Sequence, residues 1–362
     1  MALHKKLTLR QRDLIGQSLN SDNMSTMSNL VKRALIFTFI VELIGMIIFA
    51  ISFIPEYGIK DGIFKSIFTS VSAFCNSGFD IVGLENHSIF QTLPLVNIPI
   101  MLLAILGGIG FIVFDDIYTK IKFGLENKYS ISKIASTFAI HTKLVIILTM
   151  ILLVIGFCIV LCAEYANNDT IGNMDIQDKI ITSAFYSATA RSVGFATVDG
   201  AMFTDVCKIG IILLMLIGGA PGGSAGGIKV TTLGVIILSI IAFLKGKKRV
   251  VIFSREVSMQ TVLKAYIILM LYVIVIITSV ALLTITDNNN VLDLTLESVS
   301  AIGNVGLTTG LVSDFSDAGK INIMVLMYLG RIGTISMALA FVLTRPKISE
   351  KIRYPEGKII VG

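Results

Sequence analysis

The chain has 362 residues, of which 54% are hydrophobic and only 15% charged, and its mean hydropathy is +0.84. Soluble domains carry about one quarter charged residues, so this composition excludes a water-soluble enzyme and fits one membrane domain. The net charge of +6 lies in short stretches between apolar spans and not on a polar domain, which argues against nucleic-acid binding.

The start of the chain, residues 1–22, is polar and basic, without the apolar stretch of a cleaved leader. Apolar segments then come in pairs: 34–55 with 93–114, 144–162 with 206–243, and 262–283 with 321–343. Runs of about 20 apolar residues suffice to cross roughly 30 Å of hydrocarbon. Each pair flanks a shorter mixed segment, at 61–75, 178–191 and 292–303. These are too short to span and are expected to dip into the membrane and return. Cys75, Cys158, Cys162 and Cys207 have no CxxC spacing and read as small buried residues rather than a metal site or disulfide framework.

Charge sets the expected orientation. Lys32 and Arg33 precede the first span. Lys120, Lys122, Lys128 and Lys133 separate the first two pairs, and Lys245, Lys247, Lys248 and Arg249 separate the last two. Arg345, Lys347, Lys351 and Arg353 follow the last span. Connections within pairs carry acids such as Glu85, Glu164, Asp175, Asp287 and Asp317. The positive-inside rule places both termini and both linkers in the cytoplasm of a multi-pass plasma-membrane protein. The expected organisation is a cytoplasmic connector at 1–33 and a first unit at 34–116. A linker at 117–141 leads to a second unit at 142–245 with an interrupted inner helix. A linker at 246–260, a third unit at 261–344 and a cytoplasmic tail at 345–362 complete it.

The short segments end alike: SVSAFCNSGFD (70–80), YSATARSVGFAT (186–197) and SVSAIGNVGLTTG (298–310). Their glycines, Gly78, Gly194 and Gly306, recur at nearly constant spacing, the mark of a repeated unit. Glycine allows backbone conformations that aim successive carbonyls one way, and a ring of carbonyls can replace a cation's hydration shell. The preceding helix points its negative end at the same place, favouring cations. The plainer alternative is a glycine C-cap on each short helix. The fold class expected is therefore an all-α membrane protein, three repeats of outer helix, re-entrant pore helix with filter loop, and inner helix around a cation pore.

The stretch GGAPGGSAGG (218–227) breaks the second inner span with six glycines and a proline, which cannot continue a helix. Irregular backbone at that depth must face a pore or protein, making Gly218, Gly219, Gly222, Gly223, Ser224, Ala225, Gly226 and Gly227 candidates for a gate. Close packing through small residues is the structural alternative. A nucleotide-binding loop fails because Ile228 separates Gly227 from Lys229 and no strand precedes it. Arg331 sits within the last apolar span, where an arginine needs water or a partner. It reads as a positive constriction or as a tether on the glycine loop. Glu42, also within a span, reads as structural.

These residues resemble the TrkH/KtrB/HKT superfamily of K⁺ and Na⁺ transporters, and most of all bacterial KtrB-like membrane subunits. The matching stretches are SAFCNSGFD, ARSVGFATVD, IGGAPGGSAGGIKVTT, SAIGNVGLTTG, YLGRIGTISMALAF and the closing RYPEGKIIVG. The resemblance implies filter segments at Cys75, Asn76, Ser77 and Gly78, at Arg191, Ser192, Val193 and Gly194, and at Gly303, Asn304, Val305 and Gly306. It implies K⁺ held only by filter backbone carbonyls, with no cofactor on this chain. It also implies that the 218–227 loop gates below the filter with Arg331 nearby, and that the protein is a homodimer in the lipid bilayer. A cytosolic KtrA/TrkA-like ring would bind the controlling nucleotide. Glycine at all three turns fits the K⁺-selective members. The family has four repeats, and this chain has three. Residues 3–20 look like the connector after a first repeat, so a first repeat, with its filter segment, is expected to be missing through a truncated or misassigned gene start, or to be supplied by a separate chain. The functions carried forward are gated K⁺ uptake, a non-conducting membrane remnant or scaffold and, on the glycine loop alone, a membrane ATPase.

Overall fold

A computed structural model of the chain describes residues 24–82, 93–247 and 249–332. The expected connector before residue 24, the tail at 345–362, the last part of the final span and the closing RYPEGKIIVG stretch lie outside the described residues. Among the described residues the fold is almost wholly helical, with one two-residue hairpin, β1 (Val251–Ile252) and β2 (Arg255–Glu256). That hairpin falls within the basic linker at 246–260.

Helix α1 (Met24–Phe74) runs 51 residues and departs from helical geometry at one point, Gly58, with φ 79° and ψ 171°. Gly58 divides it into a long outer arm and a short arm reaching Phe74. The sequence suggested two separate elements here. A single residue suffices because glycine takes this backbone angle at little steric cost.

Helix α2 (Pro94–Ile109) ends at Gly110, whose φ is 92°, and α3 (Phe111–Glu126) leaves at 91° to it. The apolar run at 93–114 thus contains a sharp break that its hydropathy does not betray. A short helix, α4 (Ile131–Ser136), follows. Next in order come α5 (Ile140–Glu164), the short α6 (Ile176–Thr189), α7 (Asp205–Leu216), an irregular loop, and α8 (Val230–Leu244). They are followed by α9 (Met259–Asp287), the short α10 (Val291–Gly303) and α11 (Asp317–Ile332). Among the described residues, three helices are long and apolar enough to cross a membrane: Leu30–Phe74 within α1, together with α5 and α9. The bent pair α2 and α3 makes a fourth if counted as one span.

Hydroxyls join each short helix to its long neighbour. Ser70 Oγ donates to the Glu42 carbonyl at 2.6 Å, Ser187 Oγ donates to the Leu153 carbonyl at 2.6 Å, and the Ser298 and Ser279 hydroxyls meet at 3.3 Å. Such polar contacts can join helices where apolar side chains gain nothing by leaving lipid. The core is packed with Phe49, Phe53, Phe74, Phe185, Tyr186 and Met215, while Ile36, Phe39, Met270 and Ile277 stay exposed on outer faces.

Packing advances in a stagger. Helix α2 lies on the short helix α6, and α7 on the short helix α10. Helix α11 packs on α10 and α9, and its Ile321, Met324 and Tyr328 are exposed. At the other end of the series, Phe64 and Ile67 on the short arm of α1 are exposed too.

Candidate functional site

The three short helices end at one place. Behind α1, α6 and α10 come turns in which two residues, two apart, take left-handed backbone angles. They are Asn76 (φ 50°) and Gly78 (φ 71°), Ser192 (φ 69°) and Gly194 (φ 85°), and Asn304 (φ 50°) and Gly306 (φ 94°). Left-handed residues at this spacing take the carbonyls between them off the alternation of an ordinary strand. Asparagine tolerates this region better than other side chains, which accounts for Asn76 and Asn304. Ser192 is the exception, and its Oγ donates to the Gly303 carbonyl at 3.0 Å.

The glycines of the turns face one another. A Cβ added at Gly78 would come within 2.5 Å of the Val193 carbonyl oxygen and 3.1 Å of the Gly194 Cα. One added at Gly194 would collide with the Val305 carbonyl oxygen and sit 3.1 Å from the Gly306 Cα. The contact steps from each turn to the carbonyl just before the glycine of the next. At Gly306 an added Cβ would meet, among the described residues, only the Gly194 Cα, at 3.3 Å. Beside this last turn lies a cavity of about 660 Å³, bordered by Cys75, Ser77, Gly78, Asn304, Gly306 and Arg331.

The turns are anchored from outside. The Asn76 amide nitrogen, turned toward carbonyls, donates to Ala104 on α2 at 3.2 Å, and Asn304 Nδ2 donates to the Met327 carbonyl on α11 at 3.2 Å. Cys75 Sγ donates to the Glu42 carboxylate at 3.8 Å. This ties Glu42 to a turn residue, a link that its place in the sequence did not suggest.

The glycine loop lies against the ends of the short helices. A parallel bridge between Ile217 and Ile228 pinches its base. The Ala220 amide donates to the Gly108 carbonyl at 2.8 Å, and the Ser224 amide to the Gly107 carbonyl at 3.2 Å. Ser224 Oγ donates to the Phe74 carbonyl at 3.2 Å, and a Cβ at Gly226 would approach the Gly303 carbonyl to 2.6 Å. The break at Gly110 belongs to this contact, because the Phe111 amide donates to the Gly222 carbonyl at 3.2 Å. Gly107, Gly108 and Gly110 were not singled out from the sequence, although three glycines in four residues were the available signal.

Three cations hold loop carbonyls. Arg191 Nη2 donates to Gly218 at 3.1 Å, Lys229 Nζ to Ala225 at 2.7 Å, and Arg331 Nη1 to Ser224 at 2.6 Å. Arg191 is buried, and its Nε has no hydrogen-bond partner among the described residues. Lys229, the residue that invited comparison with a nucleotide-binding loop, is spent on the loop itself, and helix α7 precedes that loop. No group of three or more His, Cys, Asp or Glu side chains suited to a metal ion occurs among the described residues.

Long apolar helices, short helices ending in left-handed turns, and glycine-rich backbone held at their ends define a multi-pass membrane protein of the ion-transporting class. Comparison with known proteins agrees. The TrkH profile, described as cation transport protein, matches residues 3–351, and the chain belongs to that family of ion transporters, not to an enzyme family. It is 36% identical to the Ktr system potassium uptake protein B of Bacillus subtilis, over 100% of this chain and 78% of that one. It is 34% identical to the protein of the same name from Vibrio alginolyticus, over 99% and 75%. The potassium/sodium uptake protein NtpJ of Enterococcus hirae is 33% identical over 99% and 77%. The fold matches the crystal structure of the potassium transporter TrkH from Vibrio parahaemolyticus with a TM-score of 0.69 at 16% identity, covering 91% of this chain and 68% of that one.

Proposed function

We propose that this chain carries three helix–re-entrant loop–helix units of a K⁺ uptake pore. The convergence of Gly78, Gly194 and Gly306 carries the proposal. Three left-handed turns present backbone to a common axis at the negative ends of three short helices, an arrangement suited to dehydrating a monovalent cation through carbonyl oxygens. The names of relatives that are 33–36% identical support K⁺ as the ion, with Na⁺ a second candidate on the strength of NtpJ. In this reading residues 75–78, 191–194 and 303–306 are the filter.

The 218–227 loop is the gate in the same reading. It lies against the ends of the short helices, and Arg191, Lys229 and Arg331 clasp its carbonyls. A loop of small residues can swing aside with little steric cost, and breaking charge-assisted bonds sets the cost of opening. A cytosolic nucleotide-binding partner of the KtrA type, a homodimeric assembly, and cytoplasmic termini complete the proposal. The Ktr system names of two relatives support the partner, and the basic linkers support the orientation.

A fourth unit of the same kind, in the same polypeptide or a separate one, closes the ring. Among the described residues, the staggered packing that reaches no further than α11, the single contact at Gly306 and the cavity beside it support that reading. The test is growth at low K⁺ of a bacterium lacking its own K⁺ uptake, expressing the complete gene. Rescue is expected. Failure of correctly inserted protein to rescue, even with its partner subunit co-expressed, favours a non-conducting scaffold.

A further inference from the structure

Each turn must return toward the outer surface, and the three exits are secured differently. Ser72 Oγ, on the short arm of α1, makes one bond to the Phe79 carbonyl, at 2.8 Å. On α6, the buried Tyr186 hydroxyl donates to the Val198 carbonyl at 2.6 Å and accepts from the Thr197 and Val198 amides at 3.1 and 2.7 Å. On α10 the equivalent task falls to an acid. Glu297 is 3% exposed, and its Oε1 accepts from the Thr308 hydroxyl at 2.7 Å, the Thr309 amide at 2.7 Å and the Thr309 hydroxyl at 2.9 Å.

A carboxylate withdrawn from water inside a membrane protein is costly unless its bonds are good ones. Here three donors converge on one oxygen, all from the two residues that lie two and three positions after Gly306. Bonds to an ionised acceptor are roughly twice as strong as neutral ones, and among the described residues Glu297 is the one carboxylate on a short helix that bonds the chain returning from its turn. Glu297 also borders the cavity beside the first and third turns, as do Ser77, Gly78 and Gly306. Its carboxyl group therefore borders the same cavity as the backbone of the first and third turns.

We propose that Glu297 is a positioning residue for ion discrimination. It pins Thr308 and Thr309 so that the Val305–Gly306 backbone cannot relax outward, and this fixed span favours K⁺ over the smaller Na⁺. The proposal rests on the reading of the turns as a filter. Glu297 touches no ion in it and acts through the third segment.

The experiment uses the complete transporter with its partner subunit in liposomes, comparing wild type, Glu297→Gln and Glu297→Ala. Two quantities are read: the K⁺-over-Na⁺ preference of Rb⁺ uptake, and hydrogen exchange of a peptide covering residues 300–310. Glu297→Ala removes all three bonds and is expected to lower the preference at least tenfold, the worth of a single charge-assisted bond, and to speed exchange at Thr309. Glu297→Gln keeps the shape and one acceptor oxygen, so it should fall between the two, and it supplies both readouts if the alanine variant does not fold. Faster exchange with unchanged preference would overturn the role and leave Glu297 a structural brace. A wild type that takes up Rb⁺ with equal preference for K⁺ and Na⁺ would overturn the filter reading beneath it.

Discussion

Replacing Gly194 with serine puts a side chain where the three turns meet. Two costs can be worked from the geometry. At φ 85° an L-residue pays about 1–2 kcal/mol for the left-handed conformation. The new Cβ also finds the Gly306 Cα at 3.1 Å, the Gly78 Cα at 3.2 Å and the Val305 carbonyl oxygen nearer still, which is overpacking of the kind that costs about 1–3 kcal/mol. Backbone cannot rotate away as a flexible side chain can, so the second and third segments must separate. Gly310 provides a matched control. Its φ is also 85°, yet a Cβ there meets nothing within 4 Å among the described residues. Gly310→Ser should pay the conformational cost alone. In liposomes, Gly194→Ser should reduce K⁺-over-Na⁺ preference by about tenfold, equivalent to about 1.4 kcal/mol, while Gly310→Ser keeps it. Equal selectivity in the two variants would refute the reasoning, because it would mean that the crowded meeting of the turns does not govern which ion passes.

Three further outcomes follow from the same contacts. Deleting 222–226 should raise basal flux in the absence of the partner, and unchanged flux would remove the loop from gating. Arg331→Gln gives up the 2.6 Å bond to the Ser224 carbonyl. A loss of about 1 kcal/mol should raise the resting open fraction about fivefold, measurable as nucleotide-independent uptake, and a fall in uptake would instead make Arg331 a support of the open state. Lys208 and Asp293 form a 2.8 Å ion pair between α7 and α10, with side chains 9% and 19% exposed. Asp293→Asn should lower thermal stability by about 2–3 kcal/mol by leaving Lys208 without its counter-charge, and an unchanged melting temperature would show that water already reaches the pair.

Much of this arrangement was legible residue by residue. A left-handed turn requires glycine or tolerates asparagine, so Gly78, Gly194 and Gly306 announce their geometry in one dimension, and the 218–227 loop cannot be helical whatever surrounds it. Other features depend on what arrives from elsewhere in the fold. Gly110 lies in an apolar run that a helix could have used throughout, and its break makes sense only against the Gly222 carbonyl. Glu42 reads as an isolated acid until Cys75 is placed beside it. Glu297 looks like any polar residue on a short helix, because its partners come 11 and 12 residues later on the returning chain. Backbone requirements are written locally, whereas side-chain partnerships across a turn are not.

The central claim is that backbone turns at Gly78, Gly194 and Gly306 pass K⁺ in preference to Na⁺. Its most direct test is radioactive Rb⁺ uptake into liposomes carrying the complete transporter and its partner subunit, with unlabelled K⁺ or Na⁺ added outside in turn. The account predicts robust uptake that K⁺ suppresses and an equal concentration of Na⁺ leaves nearly intact. Uptake no greater than that of empty liposomes, or suppression by Na⁺ as strong as by K⁺, would contradict it.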